Sequence, residues 1–208
     1  MKIPFTTNCL NGNCGKEITA FIDIEDDSVP NICPHCSFDN SGTIGTDVTI
    51  GPKLRAKSMY EFKTNEDYSM TIVFAAMAFE CELFRLFLKW SRIGFYNEIN
   101  NVELEDTLRN MGILDKINVV SKLLTEKKLD EFVVDSADLK GIIEKGFPSL
   151  ELGQVDKGIV ENVFWPRNRI LHLGKGDYSK DAAIKCFNIS NLGLRILKDM
   201  DKFKRISR

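Results

Sequence analysis

The sequence lacks several features that mark other classes of protein. Its first residues show no basic stretch followed by an apolar run, so we expect no secretory signal and a cytoplasmic location. No segment repeats along the chain, and none is of low complexity. The most apolar stretch, residues 70–90, carries Glu80, Glu82, Arg85 and Lys89, which are costly in hydrocarbon. We therefore expect a buried helix there and no contact with a membrane.

Cysteine and histidine are both scarce, with six and two copies. Without an export signal, the cysteines favour metal binding or free thiols over disulfides. Cys81 and Cys186 lie in apolar helical settings and are expected to be small buried side chains. The other four all precede residue 40, at Cys9, Cys14, Cys33 and Cys36.

The chain has 208 residues, of which 43% are apolar and 28% charged, a balance typical of a globular protein. This length allows one ordinary domain and a small appendage. The net charge of -2 is uneven, because residues 1–50 sum to -5 and residues 160–208 to +6. The basic end would suit a phosphate-facing surface. A solvated helix rich in lysine is the alternative.

The four early cysteines have the spacing of a metal site. Cys9 and Cys14 are separated by four residues, Cys33 and Cys36 by two, and eighteen residues lie between the pairs. Thiolates so spaced can meet in a tetrahedron at the Zn–S distance of about 2.3 Å. Four thiolates leave no open coordination position, so we expect the zinc ion to be structural. His35 lies inside the second pair and is expected to be an exposed turn residue.

The segment around these cysteines resembles a zinc ribbon over about residues 5–50. Residues 17–24 alternate as a half-buried strand would, and residues 43–50 are a candidate closing strand. The Cys33-Pro34-His35-Cys36 pair matches the usual form of that family, although Ser37 stands where glycine is common. We assign residues 1–52 to this ribbon. Because it is acidic, we expect it to contact a partner protein rather than nucleic acid.

The remainder of the chain has helical spacing and is predicted to be mainly α. We assign residues 58–208 to a bundle of four to five helices that follows a junction at residues 51–57. Asn65 and Ser179 stand at expected N-cap positions, and Pro166 should interrupt the penultimate helix. The helices are expected at residues 66–93, 104–124 (broken or loosened near Gly112), 129–146, 154–173 and 180–203.

One segment near the C-terminus concentrates groups that could carry chemistry. It reads Trp-Pro-Arg-Asn-Arg-Ile-Leu-His-Leu-Gly over residues 165–174. Asn168 and His172 stack on one helical face, with Arg169 adjacent. Arg167 is five residues from His172, and a straight helix would splay the two apart. Either Pro166 re-aims Arg167, or the partners come from another subunit.

This segment resembles the HEPN superfamily. The family motif is an Arg, four to six residues of which the first is usually polar, and a His, which match Arg167, Asn168 and His172. Family members often carry an acidic residue in the preceding part of the bundle, where Glu80 stands. The likeness covers about residues 58–205. It implies metal-independent cleavage of RNA in a cleft between two protomers.

The resemblance implies a role for each of these residues. His172 would exchange protons with the ribose 2′-OH and the leaving oxygen, because imidazole does so near neutral pH. Arg167 would bind the charged phosphorane through two hydrogen bonds. Asn168 would orient His172 or the phosphate, and Glu80 would fix Arg167 or the imidazole tautomer. The products would be a 2′,3′-cyclic phosphate and a 5′-OH.

The leading prediction is a homodimeric endoribonuclease of the toxin or anti-phage defence kind, with Arg169 and Lys175 binding RNA. The alternative is a non-catalytic HEPN-like module that dimerises or binds a nucleotide, with the ribbon recruiting a partner protein. In that case His172 only caps carbonyls and an Arg–Glu pair only joins helices. A zinc-ribbon regulator that binds nucleic acid is disfavoured by the acidic ribbon.

Overall fold

A computed structural model describes residues 2–9, 11, 13–23, 32–39, 50–94 and 106–207. This part of the chain is mainly helical, as predicted, and also contains one two-stranded sheet. In chain order the elements are β1 (Lys2–Asn8), β2 (Glu17–Asp23), α1 (Ile50–Tyr60), α2 (Tyr68–Gly94), α3 (Ile113–Thr125), α4 (Leu129–Asp135), α5 (Ala137–Gly146), α6 (Val155–Ile159), α7 (Trp165–Leu173) and α8 (Lys180–Ile206).

The two strands form an antiparallel hairpin whose loop carries the first cysteine pair. Lys2 lies opposite Asp23 and Asn8 opposite Glu17, so the register has no bulge. β2 occupies the place predicted for a strand. β1 lies within the predicted ribbon but was not predicted as a strand, and it contains a proline, which an edge strand tolerates. Of the predicted closing strand, residues 43–49 lie outside the described ranges, and Ile50 begins a helix.

The expected junction at residues 51–57 is helical, which corrects the sequence prediction. α1 begins at Ile50, and Pro52 lies in its first turn, where a missing N–H costs no helical hydrogen bond. The buried Ser58 hydroxyl donates to the Thr71 carbonyl at 2.7 Å and so ties α1 to α2. The charged residues of this stretch therefore belong to a helix that packs on α2. The division into two domains stays a prediction.

The start of α2 also differs from the prediction. The helix begins at Tyr68, and the Asp67 carboxylate accepts the Met70 N–H at 2.9 Å. Asp67 is therefore the N-cap, and the prediction of Asn65 is wrong. The Asn65 amide instead donates to the Glu61 carboxylate at 2.6 Å within a π-helical turn, Glu61–Asn65. Both side chains are short and polar, so composition alone could not choose between them.

The predicted break near Gly112 is confirmed, whereas the segment at residues 129–146 differs from the prediction. Gly112 has an extended backbone and separates a helical turn at residues 106–109 from α3. The expected start at residue 104 lies outside the described ranges. The single segment expected at residues 129–146 is two helices, because the Ser136 hydroxyl accepts the Leu139 N–H at 3.4 Å and begins α5.

The penultimate helical segment is continuous from α6 to α7 through a π-helical turn, Val160–Phe164. In this wider turn the Trp165 N–H donates to the Val160 carbonyl. Pro166 has no N–H to donate and its ring needs space beside the preceding turn, which the π-helical turn supplies. The predicted interruption at Pro166 is therefore a widening of the helix. Gly174, with a φ of 61°, ends α7.

The core lies between α2 and α8, the two longest helices of the described part. Phe79 of α2 is fully buried and meets the Phe164 ring edge to face at 5.9 Å. Ser190 of α8 donates to the Ala75 carbonyl at 2.7 Å. The predicted N-cap of α8 is confirmed, since the Ser179 hydroxyl accepts the Ala182 N–H at 3.2 Å.

A buried carboxylate fixes the far end of this helix pair. Asp201 of α8 accepts hydrogen bonds from Lys89 Nζ and Trp90 Nε1 of α2, both at 2.6 Å, and from Arg205 at 2.7 Å. Burial opposes ionisation of Asp201, but these donors outweigh it and lower the pKa of the carboxyl group. The ion pairs therefore stabilise the fold at pH values above those at which Asp201 takes up a proton, and this stabilisation is lost as the pH falls.

The remaining sequence expectations concern cysteines and the membrane. Cys186 is buried as predicted, and burial raises the pKa of its thiol to about 12. Cys81 is only half-buried. Within the described ranges, none of the helices has both the length and the apolar character needed to cross a lipid bilayer.

The closest approach of α2 and α8 gives a stability prediction. A Cβ added at Gly193 would lie 2.4 Å from a ring carbon of the fully buried Phe79. We expect Gly193→Ala to lower the free energy of unfolding by about 1–3 kcal/mol in urea denaturation, because the overpacking outweighs the gain in helix propensity.

Gly141 of α5 is the matched control, because an added Cβ there meets no atom within 4 Å. Gly141→Ala should raise the free energy of unfolding by up to about 1 kcal/mol. Equal effects of the two substitutions would contradict the close approach.

Candidate functional site

The four early cysteines converge on one point. Their sulfur atoms all lie within 4.8 Å of one another. Cys9 Sγ is 3.6 Å from Cys36 Sγ, and Cys14 Sγ is 3.9 Å from Cys33 Sγ. A tetrahedral ion with metal–sulfur distances of about 2.3 Å requires sulfur separations of about 3.8 Å. These cysteines are therefore close enough to bind one metal ion.

Two tight turns hold the cysteine pairs. In the first, the Cys14 N–H donates to the Asn11 carbonyl at 2.8 Å, and in the second the Ser37 N–H donates to the Cys33 carbonyl at 2.9 Å. Ser37 has a φ of 57°, the left-handed conformation that glycine adopts at little cost. His35 is exposed, as expected, and its backbone N–H donates to Cys33 Sγ at 3.4 Å.

The thiols differ in their ease of ionisation. Burial raises the pKa of Cys9 to about 11. At Cys33 burial also opposes ionisation, but hydrogen bonds from the backbone N–H groups of His35 and Cys36 outweigh it and lower the pKa to about 7. Cys33 is therefore the first of these two thiols to become a thiolate, and Cys9 ionises when a cation displaces its proton.

A second cluster joins three helices around Glu80 of α2. Glu80 Oε1 lies 2.7 Å from Lys116 Nζ of α3, and Glu80 Oε2 lies 3.7 Å from Arg167 Nη2 of α7. Lys116 is buried, whereas Glu80 and Arg167 are half-buried. One carboxylate thus faces two cations, so the cluster keeps one positive charge at the edge of the bundle.

Arg167 has further donors. Its Nη1 donates to the side-chain oxygen of Asn168 at 2.9 Å. Its Nε is buried and, among the described residues, has no hydrogen-bond acceptor. The guanidinium is therefore incompletely satisfied, although the unsatisfied nitrogen is buried and a ligand from solvent would have to meet the Nη groups.

His172 lies on the other side of α7. It is exposed, and among the described residues no hydrogen bond or ion pair involves its side chain. At about 100° per residue, Arg167 and His172 point about 140° apart. The structure therefore brings Glu80, Arg167 and Asn168 together, but it does not bring His172 to them within one chain. The π-helical turn before Pro166 does not remove this divergence.

Lys116 is the site residue that sequence reasoning missed. α3 buries Ile117, Val120 and Leu124 on one face. Lys116 falls on the same apolar stripe at helical spacing, where a charge needs a partner. That position was the available signal. The partner could not be read from the sequence, because Glu80 lies 36 residues earlier.

The two residues predicted to bind RNA, Arg169 and Lys175, are both exposed. Arg169 lies on α7, and Lys175 follows its end. Lys175 is placed by a hydrogen bond from its backbone N–H to the Arg169 carbonyl at 3.3 Å. Both side chains are thus available to a ligand at this end of the bundle.

Comparisons of the chain with protein-family models, curated proteins and solved structures find no match. The likeness to the zinc ribbon and to the HEPN superfamily therefore stays a prediction that depends on the residues themselves.

The cysteine cluster gives a prediction about metal binding. We expect the protein to bind one Co²⁺ ion with the absorption of a tetrahedral thiolate complex. The affinity should fall as the pH is lowered from 8 to 6, because protons compete for the thiolates. The fall should steepen below about pH 7, where Cys33 also begins to carry a proton.

Two cysteine variants provide the controls. Cys33→Ser should abolish the cobalt spectrum, whereas Cys81→Ser, outside the cluster, should leave it unchanged. A pH-independent affinity, or binding that survives Cys33→Ser, would show that these thiols do not form the site.

Proposed function

We propose that the protein is a metal-independent endoribonuclease of the HEPN type, which cleaves RNA by attack of the 2′-OH. One observation carries the proposal. The Arg167 guanidinium is held by Glu80 on the inner side of α7, while the imidazole of His172 on the same short helix is exposed and has no partner within the described part of the chain. A fixed guanidinium and a free imidazole are the two groups that this chemistry needs.

The proton transfers fall to His172. Neutral imidazole accepts the proton of the ribose 2′-OH as the oxygen attacks the adjacent phosphorus, and imidazolium donates a proton to the 5′-oxygen that leaves. The P–O bond to that oxygen breaks as the new P–O bond forms. The products are a 2′,3′-cyclic phosphate and a 5′-OH. Because His172 is exposed, an RNA backbone can reach it without rearrangement of the fold.

Arg167 stabilises the negative charge of the transition state. A phosphorane carries more negative charge than the phosphate diester, and a planar guanidinium can donate two hydrogen bonds to it. Glu80 and Asn168 limit the orientations that Arg167 can adopt. Lys116 shares the charge of Glu80 and leaves the cluster with a positive excess. Arg169 and Lys175 bind flanking phosphates.

The active form in this proposal is a homodimer. Arg167 and His172 diverge within one chain, so a second protomer supplies the complementary group, with His172 of one protomer beside Arg167 of the other. The two α7 helices then border a shared groove. In such a symmetric pair each protomer contributes the same surface, and two equivalent sites result.

The cysteine module has a separate role in this proposal. A soft set of four thiolates suits zinc and leaves no open position, so the ion is structural. The acidic module recruits a protein partner, and RNA is bound by the basic C-terminal region. An RNase controlled by a partner protein suits a toxin or an anti-phage defence system in the cytoplasm.

The alternative, a non-catalytic dimerisation or nucleotide-binding module, is favoured by one observation. Glu80 forms ion pairs with both Lys116 and Arg167, and such a network can serve only to join helices. In that case Arg167 stabilises the bundle, and His172 has no role in a reaction.

An RNA cleavage assay separates the two functions. We expect the purified protein to cleave single-stranded RNA in EDTA over a short incubation and to leave 2′,3′-cyclic phosphate ends. His172→Ala should lower the cleavage rate about 10²- to 10⁴-fold, because a general acid–base group is lost. Arg167→Ala should lower it about 10²- to 10³-fold.

Arg195→Ala is the matched control, because Arg195 is an exposed guanidinium in the middle of α8. The Arg195→Ala protein should cleave RNA at the same rate as the unaltered protein. Circular dichroism should show that all three variants fold. Cleavage by His172→Ala at the unaltered rate would refute the catalytic proposal.

A further inference from the structure

The two tryptophans of the chain have opposite environments. Trp90 is buried, and its Nε1 donates to Asp201. Trp165 is 59% exposed, and no other aromatic ring or cation contacts its indole among the described residues. An indole left in water at the start of a helix is an apolar surface without a partner.

Trp165 lies on the same face of α7 as the proposed catalytic imidazole. Arg169 and His172 follow it by four and seven residues, so all three point within about 60° of one another. Each of the three is exposed. The indole and the imidazole are separated by about 10 Å along the helix axis, with the guanidinium of Arg169 between them.

The charge of this face favours a polyanion over a second copy of the same face. α7 contains no acidic residue and presents Arg169 and His172 to solvent. If the exposed faces of two α7 helices packed directly on each other, with no RNA in the groove between them, the cations of one copy would approach those of the other and would meet no carboxylate of that helix. A nucleic acid supplies phosphates for the cations and flat bases for the indole.

We propose that Trp165 stacks on an unpaired base of the RNA next to the phosphate at which the 2′-OH attacks and His172 transfers protons. This inference rests on the proposed function and names its substrate class as single-stranded RNA. Stacking needs a base that has left its own stack, which a duplex does not offer without melting. Trp165 is then a positioning residue, since it binds a base and takes no part in the proton transfers.

Binding can be measured apart from cleavage. We would use the His172→Ala protein and a 2′-O-methyl RNA oligonucleotide, which lacks the attacking hydroxyl. Addition of the single strand should quench the tryptophan emission, whereas the same strand in a duplex should not. In the double variant with Trp165→Phe, Trp90 is the remaining tryptophan, and its emission should not change when RNA binds. This result would show that Trp165 is the source of the quenching.

Affinity provides the second readout, by anisotropy of a labelled oligonucleotide. Trp165→Leu should weaken binding of the single strand about 5- to 100-fold, because stacking on one base is lost while an apolar side chain remains. Ile206→Ala is the control, because Ile206 is 75% exposed at the C-terminal end of α8, which is the end that does not follow α7. This variant should bind the single strand with unchanged affinity.

Each outcome decides the inference. Equal binding by Trp165→Leu, unquenched emission on binding, or no binding of RNA would overturn it. The emission could instead change with protein concentration in the absence of RNA, with both this change and the dimer lost in Trp165→Leu. That result would show that a second copy of the protein covers this face, and it would also overturn the inference. Quenching by RNA without any cleavage by the unaltered protein would support the stacking and defeat only the proposed catalysis.

Discussion

The arrangement of the candidate site depends on one carboxylate. Glu80 lies on α2, one of the two longest helices of the described part, and contacts a cation from each of two other helices, Lys116 at 2.7 Å and Arg167 at 3.7 Å. α7 has no fully buried side chain of its own, although Ile170 packs against the core. Among the described residues, this ion pair and the hydrogen bond from Tyr178 to the Pro166 carbonyl attach it to the rest of the bundle. Because the cluster is partly buried, loss of one partner leaves a charge that the bundle poorly solvates.

This attachment gives α7 two sides with different chemistry. The inner side presents Arg167 to Glu80, and the outer side presents His172, Arg169 and Trp165 to solvent. The π-helical turn that precedes it accommodates Pro166 without breaking the helix, so α7 continues directly from that segment, and the contact with Glu80 holds its inner side. A helix fixed on one side and open on the other is suited to binding a ligand along its outer face. The two cysteine pairs lie in turns of their own, away from the contacts of Glu80.

The features that could be predicted from the sequence are those that depend on residues close together in the chain. Cysteine spacing identified the metal-binding group, and helical periodicity with Ser179 placed α8. Prediction was wrong where two side chains competed for one local role, as Asp67 and Asn65 did, or where charged residues of a packed helix looked like a linker, as at residues 51–57. The partnership of Lys116 with Glu80 links distant positions and depends on tertiary packing, which periodicity does not encode. The divergence of Arg167 from His172 was visible in the spacing, and the structure shows that the π-helical turn leaves it in place.

A double-mutant cycle on the free energy of unfolding tests the central claim most directly. The cycle would compare the unaltered protein with Glu80→Gln, Arg167→Met and the double variant in urea. If Glu80 holds Arg167 in the folded protein, the coupling free energy should exceed about 0.5 kcal/mol, above the value of many exposed ion pairs. A coupling of zero within error would contradict the account, because α7 would then be placed without the carboxylate on which the site is built.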